Sequence, residues 1–344
     1  MGARASALTA ALALFLFLLA LTAASSLAHA SSSGPLVCVY YYPWYGGPDH
    51  PWQFYKDTPV LGLYNSSHLS VIARHLGWLR DLGVDCLFIS WWGPGHFTDR
   101  VAQEIFKLLP SYGLRAAILV EPYKGDENPE VYNSTWWNET LAYLRENYID
   151  RYPEAYLRLE GKPLVLAFNP IGLAYDPRPD HPGYAIRIVG NDIDNARYQD
   201  WDLWPDYDKA LTGHLRIRRD GYVSLAPRFD DEHFRPGGVP PYDPDLSRGW
   251  YQRQWEWVLR HRDAIRIVAI YSWNEFHERS AIEPHNDATA HVGPYYLYDL
   301  TKHYIQELRQ PEALAGGARL GASIAAALAL ASTVVALLVR LARS

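Results

Sequence analysis

Glu275 and Glu278 lie three residues apart in the segment Ser272-Trp273-Asn274-Glu275-Phe276-His277-Glu278. On a helical turn, side chains at that spacing share a face, about 5–6 Å apart between Cβ atoms. On an extended strand they point to opposite faces. The two acids converge only if the chain bends sharply after Asn274. Close carboxylates do not ionise together easily, so one pKa rises. The result is one neutral acid and one anionic base or nucleophile, the division of labour that glycosidic cleavage needs. The competing structural reading pairs Glu278 with Arg279 or another arginine at the domain surface.

Three further clusters share the same character: Tyr40-Tyr41-Tyr42-Pro43-Trp44-Tyr45-Gly46, Ser90-Trp91-Trp92-Gly93-Pro94-Gly95-His96 and Glu121-Pro122-Tyr123. Each follows an apolar run, where polar side chains reach a shared mouth. The chain has 13 Trp and 25 Tyr. Flat rings with polar tips suit sugars, whose C–H faces stack and whose hydroxyls seek partners. Tyr45, Trp91, Trp92, Glu121, Tyr123, Asn274 and His277 are therefore the candidate substrate-binding residues. His277 and His96 lack the i, i+4 histidine partner of zincins, so no metal ligand is assigned. Asp230-Asp231-Glu232-His233 reads as a loop or as sugar-hydroxyl ligands in preference to calcium.

Strands are expected at 36–42, 84–91, 114–120, 163–168, 184–189 and 265–271, with helices at 69–82, 99–109, 138–149, 250–261 and 295–308. Asp99 is the expected cap of the second of these helices. Residues 190–244 read mainly as long loops, with short strand candidates near Ala210 and Tyr222. Apolar strands alternating with helices predict a parallel sheet covered on both faces. No G-x-G-x-x-G follows the first strand, and the polar clusters follow strand ends. An α/β fold of the (β/α)8 TIM-barrel type is therefore preferred to an open doubly wound sheet.

Both ends of the sequence carry apolar runs. Arg4, the apolar stretch 8–22 and Ala28-His29-Ala30 have the order of a secretory signal peptide. An uncharged stretch at 320–339 is long enough to cross a bilayer as a helix. Arg340 and Arg343 follow it, as at a cytoplasmic end. The expected organisation is a signal peptide at 1–30, a catalytic domain at 34–310, a linker at 311–319 and a transmembrane anchor at 320–339. That topology makes a single-pass cell-membrane protein with an extracellular catalytic domain, tethered through its C-terminal helix. The sequons at Asn65, Asn133 and Asn138 agree with export. A net charge of -6 argues against a nucleic-acid partner. Cys38 and Cys86 sit in apolar runs and read as two buried small hydrophobes. A disulfide between neighbouring strands is the alternative.

Together the Tyr-Tyr-Pro-Trp-Tyr-Gly opening, the Ser-Trp-Trp-Gly and Glu-Pro-Tyr turns, and Ser-Trp-Asn-Glu-Phe-His-Glu with Ile282-Glu283-Pro284 resemble glycoside hydrolase family 99. This is the endo-α-1,2-mannosidase and endo-mannanase family, and the resemblance spans about 37–304. It implies a (β/α)8 barrel, no metal or organic cofactor, and endo-cleavage of α-mannosidic links with retention in an α-mannose-containing oligosaccharide or polysaccharide. It also implies a 1,2-anhydro sugar intermediate. Glu275 would deprotonate the substrate 2-hydroxyl and Glu278 would serve as acid, then base. Glu121, Tyr45, Trp91 or Trp92, and Arg248 match sugar-contacting positions. The sequence departs from the family pattern at Asp126, Arg228-Phe229, Phe276, Arg279 and Ser280-Ala281. Asp126 and Arg279 are expected to alter charge at the mouth, and Phe229 to remove a hydroxyl near the carboxylates. A glycan enzyme of another sugar preference, including a transglycosylase, is a competing reading. So is a non-catalytic carbohydrate-binding barrel, which would be expected to have lost one of the two carboxylates.

Overall fold

Eight short apolar runs pair side by side in a computed structural model, which describes residues 34–48, 52, 55–124, 129–168, 175–190, 199–206 and 215–310. They are β1 (Leu36–Tyr41), β2 (Cys86–Trp91), β3 (Arg115–Val120), β4 (Lys162–Phe168), β5 (Ala185–Gly190), β6 (Trp201–Asp202), β7 (Tyr222–Leu225) and β8 (Ile267–Ile270). Their order in the sheet is β6-β5-β4-β3-β2-β1-β8-β7, every neighbouring pair parallel. The strands are buried along almost their whole length, as a sheet covered on both faces requires.

The sheet curls into a nearly closed, TIM-barrel-like cylinder. At the seam β6 and β7 form no backbone ladder. Side chains span it: Tyr222 Oη donates to Asp202 O (2.8 Å) and Ser224 Oγ to Leu203 O (2.6 Å). The Trp201 and Tyr222 rings stack at 4.3 Å. Phe88 of β2 meets Trp201 of β6 at 6.1 Å. Those strands lie far apart in the sheet, so the contact runs across the barrel interior. Tyr40 completes this aromatic floor through Tyr222 Oη (2.8 Å).

The α-helices among the described residues are α1 (Leu69–Leu82), α2 (Phe97–Tyr112), α3 (Ser134–Leu144), α4 (Trp250–Arg260) and α5 (Tyr296–Arg309). The first shows how sequence sets the bounds. Val71, Ile72, Leu76 and Leu79 form its buried stripe, and Gly83 (φ 90°) ends it in the left-handed conformation that glycine adopts without strain. Three details differ from expectation. The α2 cap is His96, whose ring accepts the Thr98 N–H, while Asp99 instead takes bonds from Trp91, Gly95, Tyr143 and Tyr148. Helix α3 begins earlier than expected because Asn133 caps it. Strand β6 falls where loops were expected, and Ala210 lies outside the described residues.

Cys38 and Cys86 are directly opposed in the β1–β2 ladder and form a disulfide. The bond replaces the expected pair of separate buried thiols. Among the described residues no helix is long and apolar enough to cross a membrane. The signal segment 1–30, the linker at 311–319 and the anchor at 320–339 lie outside those residues.

Candidate active site

The chain leaves β8 at Ile270 and folds back on itself. Ser272 N–H donates to Ser280 O (3.1 Å), Ile282 N–H to Ser272 O (3.0 Å) and Ser280 N–H to Glu275 O (3.1 Å). The bend after Asn274 is a tight loop and not a turn of α-helix, and Arg279 within it has φ 52°. Two braces from the β1 loop hold the bend. The Asn274 amide pairs with Tyr42 N–H (2.8 Å) and Tyr42 O (2.9 Å), in the manner of a strand partner. Tyr45 Oη donates to Asn274 O (2.6 Å) and accepts from Phe276 N–H (3.0 Å).

Glu275 and Glu278 are both buried, and their surroundings differ. Glu275 Oε1 accepts from His277 N–H (2.8 Å) and bonds His277 Nδ1 (2.9 Å). The other imidazole nitrogen meets Tyr55 Oη (2.7 Å), which fixes the ring. Glu278 Oε2 accepts from Tyr271 Oη (2.7 Å) and Trp204 Nε1 (2.8 Å), and Arg235 approaches Oε1 at 3.3 Å. Burial, then the charge of Glu275, lift Glu278 to about 7. Burial also lifts Glu121 to about 8, with Glu275 adding repulsion against the pull of Ser90 Oγ (2.8 Å). Burial and the charges of Glu121, Glu275 and Glu278 push Tyr42 well above its usual range. Glu278, Glu121 and Tyr42 are thus all pushed toward their neutral forms around Glu275.

The remaining candidates divide by exposure. Trp92, half-buried, donates to Ser90 Oγ (3.2 Å), which in turn holds Glu121. Tyr123 is partly open and bonds Thr140 Oγ1 (2.9 Å). Tyr45, Trp91 and Asn274 are fully buried. Their polar atoms are taken up by protein partners (Trp91 Nε1 by Asp99, 2.7 Å), so they support the walls of the site from behind. Arg248 is exposed and lines a cavity of about 480 Å³ with Lys56, Asp230, Glu232 and Thr289. Phe229 is buried in a two-way backbone pairing with Tyr242, just before Asp230, whose N–H donates to Glu278 O (2.9 Å).

Arg279 does not alter charge at the mouth, contrary to expectation. It is fully buried beside Arg228, among Asp57, Asp230 and Asp287. Arg279 Nε donates to Asp57 Oδ2 (2.9 Å) and Nη1 to Asp230 Oδ2 (2.8 Å), while Arg228 Nε donates to Arg279 O (2.6 Å). Asp126 lies outside the described residues. Asp57, His285 and Asp287 have ligand atoms close enough for a cation. Their carboxylates already face two guanidinium groups, so the donor set is neutralised by the protein itself and does not suit a metal. Asp231 caps its own turn and pairs with Arg235.

Trp204, Tyr271, Arg235, Tyr55 and Phe234 belong to the site but were absent from the sequence-derived set. Tyr271 could have been found by its position, directly between the last apolar run and the Ser-Trp-Asn-Glu motif. Trp204 follows a strand only two residues long, and Phe234 and Arg235 sit in an irregular segment, so periodicity points to none of them.

No protein-family profile matches the chain. It is 23% identical to a glycoprotein endo-alpha-1,2-mannosidase-like protein of Mus musculus, over 73% of this chain and 66% of that one. It is 26% identical to the glycoprotein endo-alpha-1,2-mannosidase of Xenopus laevis, over 71% of this chain and 69% of that one. The chain thus matches about two thirds of the length of these curated relatives. Among solved structures, a GH99 endo-alpha-mannosidase from Bacteroides thetaiotaomicron superposes with a TM-score of 0.60 at 17% identity, covering 79% of this chain and 97% of that one. A glycoside hydrolase-like protein gives a TM-score of 0.59 at 14% identity, over 81% of this chain and 95% of that one.

Proposed function

We propose that this chain, which is related to the glycoside hydrolase family 99 endo-α-mannosidases, is itself an endo-acting glycoside hydrolase of α-mannosidic linkages. One observation carries the reading: two buried carboxylates, three residues apart, are held by different partners, Glu275 by His277 and Glu278 by Tyr271, Trp204 and Arg235. Glu278 is lifted to about 7, so about half of it carries a proton at neutral pH. It acts as the acid that protonates the leaving oxygen, then as the base toward water. Glu275, oriented by two N–H groups on Oε1, takes the proton of the substrate 2-hydroxyl. That hydroxyl attacks the anomeric carbon, the leaving group departs with the proton of Glu278, and a 1,2-anhydro sugar forms. Water, giving its proton to Glu278, then attacks the anomeric carbon as the C1–O2 bond breaks and Glu275 returns its proton to O2, with net retention. Glu121, Trp92, Tyr123 and His277 flank the reacting sugar.

Export and membrane tethering belong to the same proposal. The apolar runs at 8–22 and 320–339 and the Cys38–Cys86 disulfide support them, since disulfides persist in oxidising compartments. Protease treatment of intact cells making the full chain is expected to remove the catalytic domain from their surface; complete protection would contradict this placement.

The test of activity uses defined α-mannosides with sugar leaving groups. Wild type is expected to release an oligosaccharide or an internal fragment. Glu278→Gln and Glu275→Gln are each expected to lose about a thousandfold or more of the rate. Cleavage surviving in the double variant would overturn the assignment. Glycan binding without cleavage by wild type would favour a non-catalytic barrel, and cleavage confined to other sugars would move the specificity.

A further inference from the structure

The mechanism leaves unused the turn that carries Phe234 and Arg235. Asp231 builds this turn: its carbonyl accepts from Phe234 N–H (2.8 Å) and Arg235 N–H (2.7 Å), and its carboxylate holds the Arg235 guanidinium at 3.0 Å. Gly238 N–H closes on Arg235 O (3.1 Å), and Gly237 N–H reaches the Glu232 carboxylate (3.2 and 3.3 Å). Asp230 N–H ties the start of the turn to Glu278 O (2.9 Å). The turn is therefore built and fastened to the catalytic loop.

What it presents is an aromatic ring and a guanidinium beside both carboxylates. Phe234 is 41% exposed, with its ring centroid 4.5 Å from that of His277, the residue that orients Glu275. The Arg235 side chain is 56% exposed, lies over the Phe234 ring at 5.3 Å and reaches Glu278 Oε1 at 3.3 Å. An exposed aromatic residue is ordinary on a protein surface. Here it touches the holder of one carboxylate, and its sequence neighbour touches the other.

We propose that Phe234 and Arg235 form the leaving-group subsite, taking the pyranose ring that departs. The inference rests on the glycosidase reading above. Glu278 protonates the oxygen of that departing sugar, so the sugar must lie beside Glu278, where Arg235 already sits. The C–H face of a neutral hexopyranose covers the open part of the Phe234 ring. Arg235 donates to the ring hydroxyls and holds Glu278 toward the glycosidic oxygen, which makes it a positioning residue for the acid.

The test compares one glycone on two leaving groups, a sugar and fluoride. Fluoride fills no leaving-group subsite and departs without a proton from Glu278. Phe234→Ala and Phe234→Leu are expected to lose about tenfold or more in kcat/KM on the sugar leaving group, and several-fold less on the fluoride. Phe234→Tyr, which keeps the flat ring, is expected to recover most of the loss. Arg235→Ala is expected to lower kcat chiefly on the sugar leaving group, with partial rescue by Arg235→Lys. Equal losses on both substrates, or no loss on either, would overturn the subsite. Wild type silent on both would overturn the glycosidase reading and the subsite with it.

Discussion

Glu278 sits where burial and its cation partner oppose each other, and its proton decides when the site works. Burial and Glu275 hold it at about 7, while Tyr271, Trp204 and Arg235 pull it down. An acid must be protonated to act, so kcat/KM on a sugar leaving group is expected to fall as pH rises through about 7. Arg235→Ala removes a cation that favours the carboxylate, and the falling limb should then move to higher pH. A pH–rate profile of both proteins checks the sign; an unmoved or downward-shifted limb contradicts it. Glu121 gives a second pH effect, on stability. Its folded-state value of about 8 lies above the ordinary unfolded value of about 4.3. The folded state thus holds a proton that the unfolded chain releases, and stability falls as pH rises between those values. Glu121→Gln, neutral throughout, should flatten that decline when thermal unfolding at pH 5 is compared with pH 8. The acids were legible in the sequence because they follow apolar strands within aromatic clusters. Arg235 and Trp204 were not, since their neighbours in sequence show no period and only the fold brings them to Glu278.

The loop after β8 is the element on which the site depends, and its shape is set by buried residues whose polar atoms bond to the protein itself. Tyr45→Phe leaves Phe276 N–H and Asn274 O without their hydroxyl partner. Buried groups left unpaired cost about 1–3 kcal/mol. Urea unfolding should show that loss, and kcat should fall more than KM rises if the braces serve to aim the acids. The buried arginine pair braces the other side. Arg279→Ala would leave Asp57 and Asp287 to Arg228 and Asp230 to Lys56 at 3.7 Å, and breaking such a buried network costs about 3–5 kcal/mol. The stripe and C-cap of α1 could be read from the sequence because they are local. The burial of Arg279 could not, because two of its acidic partners, Asp57 and Asp230, come from segments distant in the chain, and an arginine beside two glutamates reads naturally as surface charge.

Across the molecule, six of the eight strands were legible from apolar runs that alternate with helices, and β7 from a short candidate near Tyr222, while β6, two residues long, was not. The open-sheet alternative could not be dismissed from sequence, because the choice turns on the seam. There β6 and β7 meet through Tyr222, Ser224 and Trp201, which only the fold brings together. The disulfide was likewise a matter of register: Cys38 and Cys86 face each other because β1 and β2 are neighbours. Reducing it is expected to lower stability by about 2–4 kcal/mol, seen as an earlier denaturation midpoint with reductant than without.

The measurement that bears most directly on the paired acids is proton NMR of the anomeric signal during cleavage of an α-mannoside with a sugar leaving group. A first-formed α product in wild type, lost in both Glu275→Gln and Glu278→Gln, is the expected result. A first-formed β product, or cleavage that continues when both glutamates are replaced, would contradict the account.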